Sequence, residues 1–216
     1  MRKSIELLAV LGLCTALLQA CTMRETDPAS RLPWQLPSEE VVLEKLPAPA
    51  ELGAFRYKGQ MDNPEAEVRV LRYNHRDGDH RLDITLYPMP PGWDTMEPRR
   101  VVSGLHSEVQ GSMTQRALRR GAEEFTVQEH EFHPGKNNPY PVLSSRVKQA
   151  FEGKSRIAFV ELSARKPILM HAIMSVPEDQ AEGLGGAVHE ALLAYLEAMM
   201  AAEAEQPATR EDSANE

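Results

Sequence analysis

The residues best equipped for chemistry stand together as Glu129-His130-Glu131-Phe132-His133. On a strand, successive side chains alternate between faces, so Glu129, Glu131 and His133 share one face and His130 takes the other. Two carboxylates and an imidazole at i, i+2 and i+4 are zinc ligands by type, provided that they converge. A working site also needs outer partners that orient its ligands, and polar residues alternating on a solvated sheet face need no ion at all. The expectation is therefore no resident metal and no cofactor, with Glu129, Glu131 and His133 the candidates if an ion is held. A second group, His75, Asp77, Asp79 and His80, crowds short polar side chains at a hairpin tip, where turn formation already accounts for both aspartates. Ser103, Ser107, Ser112, Ser144 and Ser145 are the hydroxyls that could serve as nucleophiles, but none sits in a G-x-S-x-G elbow. The nucleotide-cradling patterns G-x-x-x-x-G-K-[ST] and G-x-G-x-x-G are missing from the sequence. His106, His171 and His189 have apolar neighbours and read as packing residues. Catalytic residues are expected to be none.

Both cysteines, Cys14 and Cys21, are N-terminal, so no disulfide can staple a domain that follows them. Arg2 and Lys3 precede the apolar run Leu7 to Leu18, which ends in Gln19 and Ala20. Such a run covers about 18 Å as a helix, short of the roughly 30 Å hydrocarbon core, which argues for a removable export signal over residues 1–20 rather than a spanning helix. Leu18-Gln19-Ala20-Cys21 resembles the lipobox of bacterial lipoproteins. The resemblance implies that Cys21 takes a diacylglycerol, that the signal is cut before it, and that its new amino group is acylated with a chain such as palmitate. Thr22 rather than Asp after the cysteine implies sorting to the outer membrane, facing the periplasm. Gln19, where a small residue is usual, and the acidic Glu6 depart from the common pattern. Several acyl chains, each methylene contributing about 0.8 kcal/mol, hold a soluble domain to a bilayer.

The chain has a formal net charge of -8, and loss of residues 1–20 removes Arg2, Lys3 and Glu6 and leaves 22 basic against 31 acidic side chains, or -9. An acidic protein is a poor partner for nucleic acid or anionic headgroups. Arg116, Arg119 and Arg120 form a small cluster that a helix C-terminus explains.

Residues 21–50 hold Pro28, Pro33, Pro37, Pro47 and Pro49 and read as a lipidated N-terminus with a tether, in which Trp34 and Leu36 are the residues able to dock on the domain. Residues 51–202 read as a single domain and 203–216 as an acidic, unstructured tail. Within the domain, alternation of Val68, Val70, Leu71 and Tyr73 before Asp77-Gly78, and of Leu82, Ile84 and Leu86 after it, predicts a hairpin. From about Pro98 to Arg120 the apolar residues Val102, Leu105, Val109, Met113 and Ala117 recur at three and four, with Gly121 as the stop of an amphipathic helix. Residues 125–132, 142–151, 156–163 and 168–176 read as a four-strand meander. Ser175-Val-Pro177-Glu178 has capping-box spacing for a closing helix whose stripe is Leu184, Val188, Ala191, Leu192, Tyr195 and Met199. Gly183, Gly185 and Gly186 imply that this helix begins irregularly or that backbone approaches closely there.

The plan is α+β: an antiparallel sheet of about six or seven strands with two main helices packed on it. That order, with HRLDITLYPMP before a long helix, resembles the Mog1 and PsbP-like α/β sandwich, whose members mostly act as assembly factors or small binding modules. The expected function is a membrane-anchored envelope lipoprotein whose non-catalytic domain binds a protein partner or assists assembly. A small-ligand or metal-binding periplasmic carrier is the second reading and a hydrolase the third.

Overall fold

In the hairpin β3 (Val68–His75) and β4 (Arg81–Pro88), every second residue is buried: Leu71 and Tyr73 on one strand, Leu82, Ile84 and Leu86 on the other. That period of two fixes which face meets the core. The computed structural model describes residues 43–135 and 137–205. Cys21, residues 1–20 read above as an export signal, Trp34, Leu36 and the residues beyond 205 lie outside the described residues.

The remaining strands are β1 (Glu51–Leu52), β2 (Phe55–Asn63), β5 (Glu124–His133), β6 (Val142–Phe151), β7 (Lys154–Arg165) and β8 (Ile168–Pro177). They form one sheet of eight strands in the order β1-β2-β3-β4-β8-β7-β6-β5, with every neighbouring pair antiparallel. The chain leaves β4, crosses through helix α1 (Pro98–Arg119) to the far edge, and returns by meander until β8 lies beside β4. Helix α2 (Leu184–Glu205) closes the fold.

Each helix covers its own face. Val188, Ala191, Leu192, Tyr195 and Met199 of α2 pack with Phe55, Tyr73, Ile84, Ile157, Phe159 and Met174. Val101, Val102, Leu105 and Val109 of α1 pack with Leu143, Val147, Val160, Leu162 and Leu169. A strand covered on both sides has no polar face to show, and β7 runs from Ile157 to Ala164 without an exposed residue.

Both helix ends follow from local chemistry. The Glu97 carboxylate accepts from the backbone N–H groups of Arg99 and Arg100 and caps α1. At the other end Gly121 sits at φ 74°, with its N–H on Leu118 O and the Ala122 N–H on Ala117 O, the paired bonds of a Schellman stop. The capping box expected at Ser175 is not used. Ser175 is still in β8, its Oγ accepts from Arg156 Nε at 3.1 Å, and a 3-10 turn at Glu178–Gln180 comes before α2. The glycines explain the delay. Gly183 has φ 75°, and a Cβ on Gly185 would lie 3.1 Å from the Phe159 ring, so backbone approaches the sheet where a side chain would intrude.

The sheet has more strands than expected because β1 and β2 escape the alternation rule. Beyond Gly59, β2 is exposed on both faces, and a bulge between Tyr57 and Gly59 breaks its period. Residues 43–50, read from the sequence as the end of the tether, are packed on the domain. Leu43 is 8% exposed and joins the α2-side core with Leu46 and Ala48 against it.

Candidate functional site

Glu161, 4% exposed, is a buried carboxyl at the middle of β7 on the α2 face. Its Oε2 accepts from Ser144 Oγ on β6 at 2.7 Å and lies 2.9 Å from His189 Nδ1 on α2. Ser144 Oγ is 3.4 Å from that same nitrogen. His133, at the end of β5, sets its ring edge-to-face on His189 with centroids 4.8 Å apart. Register explains the meeting: Ser144 pairs with Glu161 across β6 and β7, and His133 pairs with Val142, two residues before Ser144 on the same face.

This arrangement brings together three residues singled out from the sequence, Ser144, His133 and His189, around a fourth that was not. The signal for Glu161 was available: a lone carboxylate inside the apolar run Ile157-Ala-Phe-Val-Glu161-Leu has no reason to be there unless it has partners. It went unread because a strand of that length is taken for core.

The geometry is a hub rather than a relay. A nucleophile relay needs the hydroxyl at one imidazole nitrogen and the carboxylate at the other. Here both meet His189 at Nδ1, and the serine donates its proton to the carboxylate, so the hydroxyl is held and not activated. Two further serines carry the S-x-x-K spacing, Ser145 with Lys148 and Ser163 with Lys166. On a strand that spacing separates the pair: Ser145 Oγ donates to Glu129 O, whereas Lys148 reaches Glu178 from the opposite face. Ser163 Oγ donates to Pro141 O, and Lys166 pairs with Asp94.

The metal candidates are placed on one face as their spacing requires, but they do not converge. Glu129 lies opposite Arg146, Glu131 opposite Ser144 and His133 opposite Val142, and alternate residues on a strand stand roughly 7 Å apart. Only His133 turns toward the Glu161 hub; Glu129 and Glu131 are exposed. Among the described residues, no group of three or more His, Cys, Asp or Glu side chains is placed to hold a metal ion. At the hairpin tip, His75 Nδ1 accepts from the Asp77 N–H at 3.2 Å while its ring stands edge-on to Phe55. His80 is 6.4 Å from His75, centroid to centroid.

The other histidines occupy the α1 side. His106 of α1 stacks on His130 of β5 at 6.1 Å, and burial, with His130 beside it, lowers its pKa. His171 of β8 stands edge-on to Tyr87, and its Nδ1 is enclosed without a hydrogen-bond partner among the described residues. Burial first, and the Arg116 guanidinium second, push its pKa down to about 4. Burial also raises the Glu108 carboxyl and, with Glu108 adding to it, the Tyr87 phenol.

No protein-family model matches the chain, and no curated protein matches it. Among solved structures it is similar to the solution structure of cyanobacterial PsbP (CyanoP) from Synechocystis sp. PCC 6803. The two share 7% identity and a TM-score of 0.43 over 66% of this chain and 91% of that one. The α+β class rests on the sheet order and the placement of the two helices, not on this likeness.

Proposed function

We propose that this chain is an envelope lipoprotein, anchored through acylated Cys21 to the outer membrane on its periplasmic side, whose α+β domain binds a protein partner or assists assembly without catalysing a reaction. The observation that carries the anchoring is the N-terminal constellation itself: a charged head, a short apolar run and Leu18-Gln19-Ala20-Cys21. Among the described residues no helix is long and apolar enough to cross a membrane, and acyl chains on Cys21 are the attachment proposed. The non-catalytic reading is supported by the hub at Glu161, whose hydrogen bonds hold Ser144 and His189 to the carboxylate rather than aim a hydroxyl at a substrate.

The test is made in a diderm host grown with an alkyne-tagged palmitate. The wild-type chain should carry label and stay with membranes through a carbonate wash, whereas Cys21→Ala should lose the label and wash off. Retention of the Cys21→Ala protein by washed membranes would sink the lipoprotein reading.

A further inference from the structure

We propose that the groove between the Trp93 turn and the outer side of α1 is a docking site for an acidic segment of a partner protein bearing a large apolar side chain. This deepens the partner-binding reading above and rests on it. After β4 the chain turns through Gly92, at φ 81°, into a 3-10 turn at Trp93–Thr95. The Trp93 indole leans on Gly104, where a Cβ would lie 3.0 Å from the ring. Beside this contact is a hollow of about 330 Å³ lined by Trp93, Met96, Arg100, Ser103, Gly104 and Ser107. That is the size in which one large side chain can be buried. Met96 is 39% exposed at its rim. The hydroxyls of Ser103 and Ser107 donate back to Arg99 O and Ser103 O, which leaves aliphatic and indole surface as the main lining.

The charge pattern states what kind of segment fits. Counted with its two caps, this helix carries Arg99, Arg100, Arg116, Arg119 and Arg120 against Glu97 and Glu108, a basic element in a chain of net charge -8. Cations in the first turn oppose the helix dipole, so each needs a reason. Arg99 has one, since its guanidinium lies 4.4 Å from the Phe132 ring centroid. The acids nearby are engaged: Asp94 pairs with Lys166 at 3.1 Å, and Glu97 accepts from two backbone N–H groups. Arg100 is exposed and has no ion-pair partner among the described residues, and it stands at the groove. A carboxylate beside an apolar anchor satisfies both halves, by a two-pronged bond to the guanidinium and by contact with the indole. A lipid surface fits less well, because the arginines lie at the two ends of a helix about 33 Å long and the remaining protein is acidic.

Trp34→Phe in the full chain leaves Trp93 as the sole tryptophan and hence the reporter. In detergent, a synthetic peptide of alternating Glu and Leu should shift Trp93 emission. Arg100→Glu should weaken that binding by roughly tenfold or more, and so should Ser103→Leu, which fills the hollow from an exposed position of the helix. Circular dichroism on both variants separates this from unfolding. Equal binding of a Lys-Leu peptide, or indifference of the Glu-Leu peptide to both variants, would overturn the proposal. So would a peptide-free emission shift on deleting residues 206–216, on raising protein concentration, or on adding phosphatidylglycerol vesicles, which would assign the groove to the tail, a second copy or lipid. A photo-crosslinking residue at Ser107 and at Glu129 in the native envelope separates the two levels. Adducts at Glu129 alone would sink the groove and leave partner binding standing; adducts at neither would count against both.

Discussion

Glu161 and His189 form a buried hydrogen-bonded pair whose members do not have equal consequences. Removing His189 leaves the Glu161 carboxyl in the core with Ser144 as a donor, whereas removing Glu161 leaves a half-buried imidazole that solvent reaches. His189→Leu is therefore expected to destabilise by about 1 to 3 kcal/mol, the cost of a buried acceptor left short of a donor, and Glu161→Leu by less. In the double variant the loss should be smaller than the sum, and chemical denaturation of all four proteins measures the coupling. Additive losses would mean that the pair does not act as a unit. His171 gives a pH dependence with a definite sign. Its ordinary pKa is 6.5 and its folded value about 4, so between those limits the unfolded chain takes up a proton that the folded chain refuses. Stability is full above about 6.5, falls as pH drops, and levels off below about 4, a loss on the order of 3 kcal/mol. His106, also lowered, adds in the same direction, and Glu108, raised, opposes it. Urea midpoints from pH 7 to pH 4 should fall for the wild type and flatten in His171→Gln. Residues of this kind were half legible: Ser144, His133 and His189 could be picked by type, but their meeting depends on register across three strands and on where α2 lands.

At the scale of the element, what was legible had a clean period. The β3-β4 hairpin and α1 announce themselves because one face is buried and the other partly open to solvent. Strand β2 does not, and the capping box at Ser175 misleads because β8 continues through it to Pro177. Of the glycines at 183, 185 and 186, Gly183 by its positive φ and Gly185 by its close approach to Phe159 account for the later start. The sheet's edges show a different logic. Strand β5 is a long outer strand, and it carries a bulge between Val127 and Glu129 with exposed Glu129, His130 and Glu131. On the other side, the two residues of β1 cover only the start of β2, whose bulge falls at Lys58. Bulges and charges on an open edge prevent pairing with another chain. Replacing Glu129 and Glu131 together by Val is expected to leave the circular dichroism spectrum intact while light scattering shows association that grows with concentration. A double variant that stays monomeric up to solubility would show that the bulge alone protects this edge.

At the scale of the whole molecule, the question is where the folded body begins. Arg69 of β3 is 4% exposed, and its Nη1 donates to Leu43 O at 2.7 Å and Leu46 O at 2.8 Å. Its Nη2 donates to Gln60 Oε1, and its Nε lies 3.5 Å from Asp62 Oδ1. Tyr195 of α2 adds a bond from its phenol to Pro47 O at 3.2 Å. A buried guanidinium thus depends on carbonyls from residues 43–46, which composition assigns to a tether because prolines follow them. A chain begun at residue 51 loses Leu43 and both of those acceptors. It should be less stable than one begun at residue 37 by several kcal/mol, from the exposed apolar surface and from a buried cation left short of partners. The two causes separate with Arg69→Met. In the longer chain the substitution removes three guanidinium hydrogen bonds, two of them to residues 43–46, and should destabilise; in the shorter chain only Gln60 and Asp62 still hold the charge, and the loss should be smaller or reversed. Thermal denaturation of the four proteins reads the crossing directly. Equal effects of Arg69→Met in both backgrounds would mean that the segment is held by Leu43 and Leu46 packing alone, and that Arg69 answers to Asp62 and Gln60 instead.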